Sequence, residues 1–202
     1  MFNLIRKDIM LQKTTLMTML PLLILLLTLE RSFIYIGLLF SMAIIMNAFA
    51  SDEKSSINTL LNSLPYTRKE IVSSKYIGAL FFVLTIVLTI FTGNLIINRE
   101  ITMWKELGLI ICLVMIFISF MFPFSYKFKS QYLLTAVIVS FVIYLLIVNL
   151  FINNLNDKIR ELVGILLTLQ SSQLYLLIAF SVIALYVCSW LLSIRIYSKK
   201  VF

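Results

Sequence analysis

The sequence predicts an all-α integral membrane protein with six transmembrane helices. Of its 202 residues, 61% are hydrophobic and only 13% are charged, which exceeds what one soluble domain buries in its core. Six apolar runs approach the roughly 20 residues that a helix needs to cross a hydrocarbon layer about 30 Å thick. Because these runs lack the alternation of apolar and polar residues found in barrel strands, we expect helices.

The predicted spans occupy most of a single transmembrane domain, residues 1–202. They cover about residues 14–29, 32–51, 76–98, 106–125, 133–152 and 173–194. The more polar parts are an amino-terminal segment at 1–13, a connection at 52–75, an outer stretch at 153–172 and a tail at 195–202. The first span is short and contains Pro21, which membrane helices tolerate when neighbours satisfy the freed carbonyl group.

Basic residues are concentrated on one predicted side of the membrane. With the amino terminus inside, twelve of the 17 Lys and Arg residues face the cytoplasm, and the net charge of +8 lies on that side. This asymmetry follows the positive-inside rule and predicts that both termini are cytoplasmic. The charge also favours contact with anionic membrane lipid, whereas no motif supports nucleic-acid binding.

Several kinds of chemistry lack the residues that they need. The chain has no histidine and its carboxylates lie outside the centres of the predicted spans, so we expect neither a metal site nor a proton relay. None of the five glycines belongs to a G-x-x-x-x-G-K-[ST] phosphate loop. We therefore expect no enzyme activity and no cofactor in this chain, and any chemical energy must come from another subunit.

Mildly polar residues lie within the predicted spans. Thr85, Thr89 and Thr92 recur at offsets of four and three, which places them on one face of the third span. With Asn47 of the second span, they form a possible substrate path. The alternative is that these side chains pack against neighbouring helices, as hydroxyl groups commonly do in lipid.

The amino-terminal segment has the pattern of a short amphipathic helix. Phe2, Ile5 and Ile9 recur at helical spacing, and most charged residues lie elsewhere on the helical wheel. A helix over residues 1–13 on the inner leaflet fits this pattern, and so does a basic flank of the first span.

The connection between spans 2 and 3 is one long polar insert. Ser51 is predicted to cap a helix whose first turn carries Asp52 and Glu53, because acidic residues are favourable at the positive end of the helix dipole. Pro65 ends this helix. Its apolar residues at helical spacing are Ile57, Leu60, Leu61 and Leu64.

A second helix is predicted directly after this break. Thr67 and Glu70 form a T-x-x-E capping box, so a new helix starts at Arg68 and continues through Lys75 into span 3. The first helix, about ten residues long, would be marginal in water and needs a surface to pack against. A soluble cytoplasmic protein, the lipid headgroups and the inner ends of the other spans are the three candidates.

The same connection resembles that of a known family. The run DEK followed by LLNSLPYTRKEIVSSKY, and the opening NLIRKDIMLQK, resemble permease subunits of bacterial ABC-2 type exporters, particularly small six-span permeases whose ATPase is a separate polypeptide. The pattern combines an acidic start, a Leu-Pro break, an Arg residue and a Lys-Tyr pair that enters span 3.

This resemblance implies a location and a set of partners. The protein would lie in the bacterial plasma membrane as a dimer with a second copy or a paralogue, and a cytoplasmic ABC ATPase would hold ATP and Mg²⁺. Residues 1–13 would form an interfacial connecting helix, and the segment around 55–63 a coupling helix that docks on the ATPase. The expected docking residues are Asp52, Glu53, Lys54, Ile57, Asn58, Leu60 and Leu61, and those at the break and second helix are Pro65, Thr67, Arg68, Glu70 and Lys75.

The resemblance also implies transport by alternating access. Few charges within the spans favour an amphipathic or apolar cargo, and the family favours export of a membrane-active peptide. A lipid-linked molecule and a hydrophobic drug remain open as cargo. Residues 153–172 match in position a short outer helix of that family, although an ordinary outer loop fits equally. Two alternatives remain open: a small membrane subunit that binds a substrate from outside, and a non-transporting membrane anchor for a cytoplasmic protein.

Overall fold

The structure, a computed structural model, describes residues 2–29, 33–54, 66–97, 99, 104–128 and 172–199, together with 132, 135, 139, 142 and 143. These ranges contain five long helices and no strand. The helices are α1 (Phe2–Leu29), α2 (Phe33–Lys54), α3 (Arg68–Ile97), α4 (Trp104–Lys127) and α5 (Ser172–Ser198). The all-α prediction is confirmed for this part of the chain.

Five of the six predicted spans correspond to these helices. Each of the five is long and apolar enough to cross a membrane, and they match predicted spans 1, 2, 3, 4 and 6. Of predicted span 5, the described residues 135, 139, 142 and 143 are helical. The rest of that span and the outer stretch at 153–171 lie outside the described residues, so the count of six stays a prediction.

The amino-terminal segment is not a separate helix. α1 runs without a break from Phe2 to Leu29, and its 28 residues extend about 42 Å, more than the roughly 30 Å of hydrocarbon. Leu4, Asp8 and Gln12 recur at an offset of four and are buried against the other helices. This packed face continues the face of the span, so residues 2–13 and the first span form one helix, and the place where this helix enters the membrane stays a prediction.

α2 extends beyond its predicted end. Ser51, the expected cap of a new helix, lies inside α2, which continues to Lys54. No glycine or proline interrupts the chain there, so the helix keeps the backbone groups of this turn hydrogen-bonded. Asp52 and Glu53 therefore belong to the end of α2, and their placement in the first turn of a coupling helix is wrong. The expected docking and break residues Ile57, Asn58, Leu60, Leu61 and Pro65 lie outside the described residues.

α3 lies at the centre of the described helices. It contacts each of α1, α2, α4 and α5, and its buried residues extend from Ile71 to Asn94. Two glycines, one on α2 and one on α3, allow close helix contacts along the carboxyl-terminal half of α3. A Cβ atom on Gly37 of α2 would lie 2.9 Å from Ile90, and one on Gly93 would lie 2.8 Å from Leu27 of α1.

Polar contacts bring several chain ends to one end of the bundle. Lys75, near the start of α3, bonds to Asp8 of α1, and Arg68 bonds to the carbonyl groups that end α5. The amino-terminal turns of α1, the first turns of α3 and the last turns of α5 form what we call the basic end. Its basic residues include Arg6, Lys7, Arg68, Lys69, Lys75, Arg195 and Lys199.

Candidate functional site

The predicted capping box fixes the start of α3. The backbone N–H of Thr67 donates to Glu70 Oε2 at 2.9 Å, and the backbone N–H of Glu70 donates to Thr67 Oγ1 at 3.3 Å. The Thr67 hydroxyl also donates to Glu70 Oε2, at 2.9 Å. Two N–H groups that a helix start leaves without intrahelical partners are thereby satisfied. The prediction that the helix begins at Arg68 is confirmed.

Arg68 joins the start of α3 to the end of α5. Its Nη1 donates to the carbonyl oxygens of Tyr197 at 3.2 Å and Ser198 at 2.9 Å. The last carbonyl groups of a helix have no partner within the helix, and a cation beside them is favoured by the helix dipole. Arg68 therefore caps α5 from the first turn of another helix.

A buried ion pair joins α3 to α1. Lys75 Nζ lies 2.9 Å from Asp8 Oδ1, and the two residues are only 8% and 3% exposed. Lys7 Nζ lies 3.0 Å from the same carboxylate oxygen, and Lys75 Nζ is 5.9 Å from the centre of the Phe49 ring on α2. Loss of Lys75 would leave buried Asp8 with only the partly exposed Lys7 as an ionic partner, and loss of Asp8 would remove the carboxylate from a buried ammonium group; both changes are unfavourable. The pair therefore fixes α1 against α3.

The ion pair borders a very small cavity. The cavity has a volume of about 10 Å³ and is lined by Asp8, Lys75, Phe49 and neighbouring apolar side chains. That is about the volume that one water molecule occupies. In the described ranges, no three His, Cys, Asp or Glu side chains lie close enough to hold a metal ion. The arrangement is suited to holding helices together.

Tyr76, the next residue, joins α3 to α5 and α4. Its Oη lies 2.8 Å from both Ser189 Oγ and Ser193 Oγ of α5. Ser189 Oγ donates its one proton to the carbonyl oxygen of Ser119 on α4, at 2.6 Å. Ser189 must therefore accept from Tyr76, and Tyr76 in turn accepts from Ser193. Tyr186 Oη also donates to the backbone carbonyl of Tyr76, at 2.8 Å.

Aromatic rings enclose this chain of hydroxyl groups. The Tyr76 ring stacks on Trp190 of α5 with centroids 5.7 Å apart, and Phe122 of α4 meets it edge to face at 4.7 Å. Trp190 Nε1 donates to Ser73 Oγ of α3 at 3.0 Å. Tyr76 is fully buried as a result, so its hydrogen bonds do not compete with water.

The threonines of the predicted path bond to their own helix. Thr85, Thr89 and Thr92 donate to the carbonyl oxygens of Phe81, Thr85 and Leu88, at 2.9, 2.8 and 2.9 Å. Their hydroxyl groups are thus satisfied four residues back along α3 and do not join it to a neighbouring helix through these bonds. Their place on a substrate path stays a prediction.

Asn47, the fourth residue of the predicted path, joins α2 to α1. Its Nδ2 donates to Thr15 Oγ1 at 2.7 Å. A second bond joins the same two helices three residues earlier on each: Gln12 Nε2 of α1 donates to the carbonyl oxygen of Ile44 of α2 at 3.2 Å. These two bonds belong to the α1–α2 contact and are separate from the bonds of the three threonines.

Sequence reasoning missed the partners of the Lys-Tyr pair. Asp8 lies outside the centres of the predicted spans, and Ser189 and Ser193 fall within the apolar run at 173–194. One signal was present for each: Asp8 is the one acidic residue in the basic opening, and the two serines are four residues apart on one face of α5.

Comparison with known proteins extends the resemblance seen in the sequence. The family model described as ABC-2 family transporter protein matches residues 3–198, a range that includes the five described helices apart from Phe2. No curated protein and no solved structure matches the chain. With nearly its whole length matched, the chain belongs to the ABC-2 family of transporter proteins.

Proposed function

We propose that the chain is the permease subunit of an ABC exporter that moves an amphipathic or hydrophobic substrate out of the cytoplasm or the inner leaflet by alternating access. Membership of the ABC-2 family over residues 3–198 is the observation that carries this proposal. The basic end would face the cytoplasm of a bacterial cell, because cytoplasmic segments of membrane proteins are enriched in Lys and Arg.

The connection between α2 and α3 is the proposed docking segment for the ATPase. It follows Lys54 and ends at the capping box of Thr67, so it joins two long helices at the basic end. A force on this connection would act on α2 and α3 directly. Leu60 and Leu61 would be its apolar anchors, with Asp52, Glu53, Lys54 and Asn58 around them.

ATP hydrolysis is assigned to a separate subunit in this proposal. The sequence contains no phosphate loop of the G-x-x-x-x-G-K-[ST] type, so ATP and Mg²⁺ would bind to the partner ATPase. A second permease, either the same chain or a paralogue, would complete the pathway at the interface between the two. ATP moves the permease only if the ATPase binds differently to its two states.

A membrane-active peptide is the favoured cargo. The buried charged residues among those described, Asp8 and Lys75, are paired with each other and so offer no free charge to an ion. A path between these helices would present mostly apolar side chains, which suits an amphipathic peptide better than a small ion.

A substitution in the docking segment tests the proposed partner. Leu61→Asp should abolish co-purification with the partner ABC ATPase, because a carboxylate cannot be buried in an apolar cleft without a partner. Leu61→Met, which keeps an apolar side chain of similar volume, should co-purify normally. If Leu61→Asp retained both the ATPase and ATP-driven transport, this docking assignment would be wrong.

Reconstitution tests the cargo. The permease and its ATPase in liposomes should hydrolyse ATP faster when a synthetic cationic amphipathic peptide is added. The same liposomes would be given a lipid-linked sugar precursor and a hydrophobic dye. Stimulation by these compounds and not by the peptide would reject peptide export.

A further inference from the structure

We propose that Lys75 and Tyr76 form a branch point through which a displacement of the start of α3 is passed to α1 on one side and to α5 and α4 on the other. This inference rests on the proposed function, because the ATPase would supply the displacement through residues 55–67. The two residues are positioning residues, and they would make α1, α3 and α5 move as one unit at the basic end.

The helical geometry of α3 directs the two side chains to different neighbours. Adjacent residues of an α-helix project about 100° apart around its axis. Lys75 accordingly reaches Asp8 of α1, whereas Tyr76 reaches Ser189 and Ser193 of α5. Two consecutive residues therefore join α3 to two different helices.

Both branches begin close to the proposed point of force. Thr67 and Glu70 fix the helix start, so the capping box lies two turns before Lys75. A continuous helix between these residues transmits displacement without a flexible joint. Arg68 holds α5 at the first turn, and Tyr76 holds it two turns later, which gives the α5 branch two attachments.

The chemistry of the α1 branch favours a role beyond stability. Burying an ion pair adds little stability compared with apolar residues of the same volume, but it fixes register because each charge accepts few positions. Lys75 and Asp8 are both buried, and the neighbouring cavity holds at most about one water molecule. A register-fixing contact is what a helix pair needs to move together without sliding.

Spin-label distances in the complete transporter test the branch point. Cys112 and Cys188 are first replaced by Ala, and labels are placed on exposed Met10 of α1, Leu88 of α3 and Leu191 of α5. The complex with its ATPase is studied in lipid nanodiscs, without nucleotide and after trapping with ATP, Mg²⁺ and vanadate. The accessibility of the Leu88 label to a nickel-chelating lipid reports whether α3 itself moves.

In the unaltered protein, we expect the Leu88 signal to change on trapping while the Met10–Leu88 and Leu88–Leu191 distances stay constant. Lys75→Met should cause the Met10–Leu88 distance to shift on trapping and leave the Leu88–Leu191 distance constant. Tyr76→Phe should leave the Met10–Leu88 distance constant and cause the Leu88–Leu191 distance to shift, by a smaller amount because Arg68 still holds the end of α5. Lys75→Arg should restore constant distances, and Lys127→Met, which removes an exposed lysine, should behave like the unaltered protein.

The possible failures are distinguishable. If the complex forms and α3 moves, but Lys75→Met and Tyr76→Phe change neither distance pattern, the branch point is wrong and the proposed function stands. If no ATPase co-purifies, or α3 does not move on trapping, the proposed function fails and the branch point fails with it. If Lys75→Met does not fold, the double variant Asp8→Asn with Lys75→Met, which removes both buried charges, takes its place with the same expected result.

Discussion

The first turns of α3 and the middle of the same helix both carry polar side chains, but they use them differently. Lys75 and Tyr76 bond to α1 and α5, whereas Thr85, Thr89 and Thr92 bond to carbonyl groups of α3 itself. A threonine can satisfy its hydroxyl on the preceding turn, but a buried ammonium group requires a partner of opposite charge from another helix. A polar residue in a membrane span therefore does not by itself indicate a hydrogen bond to another helix.

The middle of α3 is held by close apolar packing. Ile86 and Ile90 are fully buried, and Gly37 of α2 lets Ile90 approach its backbone. Such contacts stabilise membrane helices through dispersion and shape, because lipid is as apolar as the side chains. The basic end of α3 is thus held by hydrogen bonds and an ion pair, whereas its middle is held by close packing of apolar side chains.

The largest expected effect is at the ion pair. Lys75→Met should lower the free energy of unfolding by up to about 3–5 kcal/mol, because Asp8 would stay buried with only the partly exposed Lys7 as its ionic partner. Lys69→Met, which removes an exposed lysine of the same helix, should change it by less than about 0.5 kcal/mol. Unfolding of the purified protein in detergent, followed by circular dichroism, measures both. Equal effects would mean that the ion pair does not hold the basic end together.

A glycine pair tests the packing of the middle. Gly37→Ala should cost about 1–3 kcal/mol, because its Cβ would lie 2.9 Å from Ile90 and 3.0 Å from Ile110 in a packed core. Gly108→Ala places its Cβ where no atom lies within 4 Å, so it should be neutral or stabilise by up to about 1 kcal/mol through helix propensity. Unfolding in detergent, followed by circular dichroism, measures the stability of both variants. If Gly37→Ala were as harmless as Gly108→Ala, close packing would not hold α2 to α3.

The capping box gives a smaller effect at the basic end. Thr67→Ala should cost about 1 kcal/mol, because the N–H of Glu70 loses its acceptor. Thr18→Ala on α1 is the matched control, since that exposed hydroxyl bonds only to carbonyls of its own helix and caps no helix start. Fraying of the first turn, measured by hydrogen exchange of the Ile71 amide, should increase only in Thr67→Ala. Unchanged exchange there would contradict the capping role.

What could be predicted from the sequence was set by how far apart the interacting residues lie. The capping box joins Thr67 to Glu70, three residues apart, so its pattern is readable and the helix start was predicted correctly. The Lys75–Asp8 pair spans 67 residues and the Tyr76–Ser193 bond 117, and one sequence does not indicate which distant residues meet. The Lys-Tyr pair stands out in the sequence as part of the family pattern, but the sequence does not show which residues it bonds to.

Local signals also misplaced a boundary. Acidic residues after Ser51 are typical of a helix start, yet α2 continues through them to Lys54 because no residue there breaks a helix. The amphipathic pattern places Phe2, Ile5 and Ile9 on the apolar face of the opening of α1, whereas its buried face is centred on Leu4, Asp8 and Gln12. Packing against α3 determines which residues of this segment are buried, and the amphipathic pattern of the segment alone does not predict them.

The smallest expected effect concerns the middle of α3. Thr89→Val keeps the shape of the side chain and removes a hydroxyl that bonds only to the Thr85 carbonyl, so unfolding should change by less than about 0.6 kcal/mol. We also expect peptide-stimulated ATP hydrolysis in liposomes to be unchanged, as in the control Thr89→Ser, which keeps the hydroxyl. If stimulation fell in Thr89→Val while stability held, the hydroxyl would be needed by the cargo, and this face of α3 would line the transport path. The two regions of α3 would then differ in function as well as in bonding, with one end passing on movement and the middle contacting what is moved.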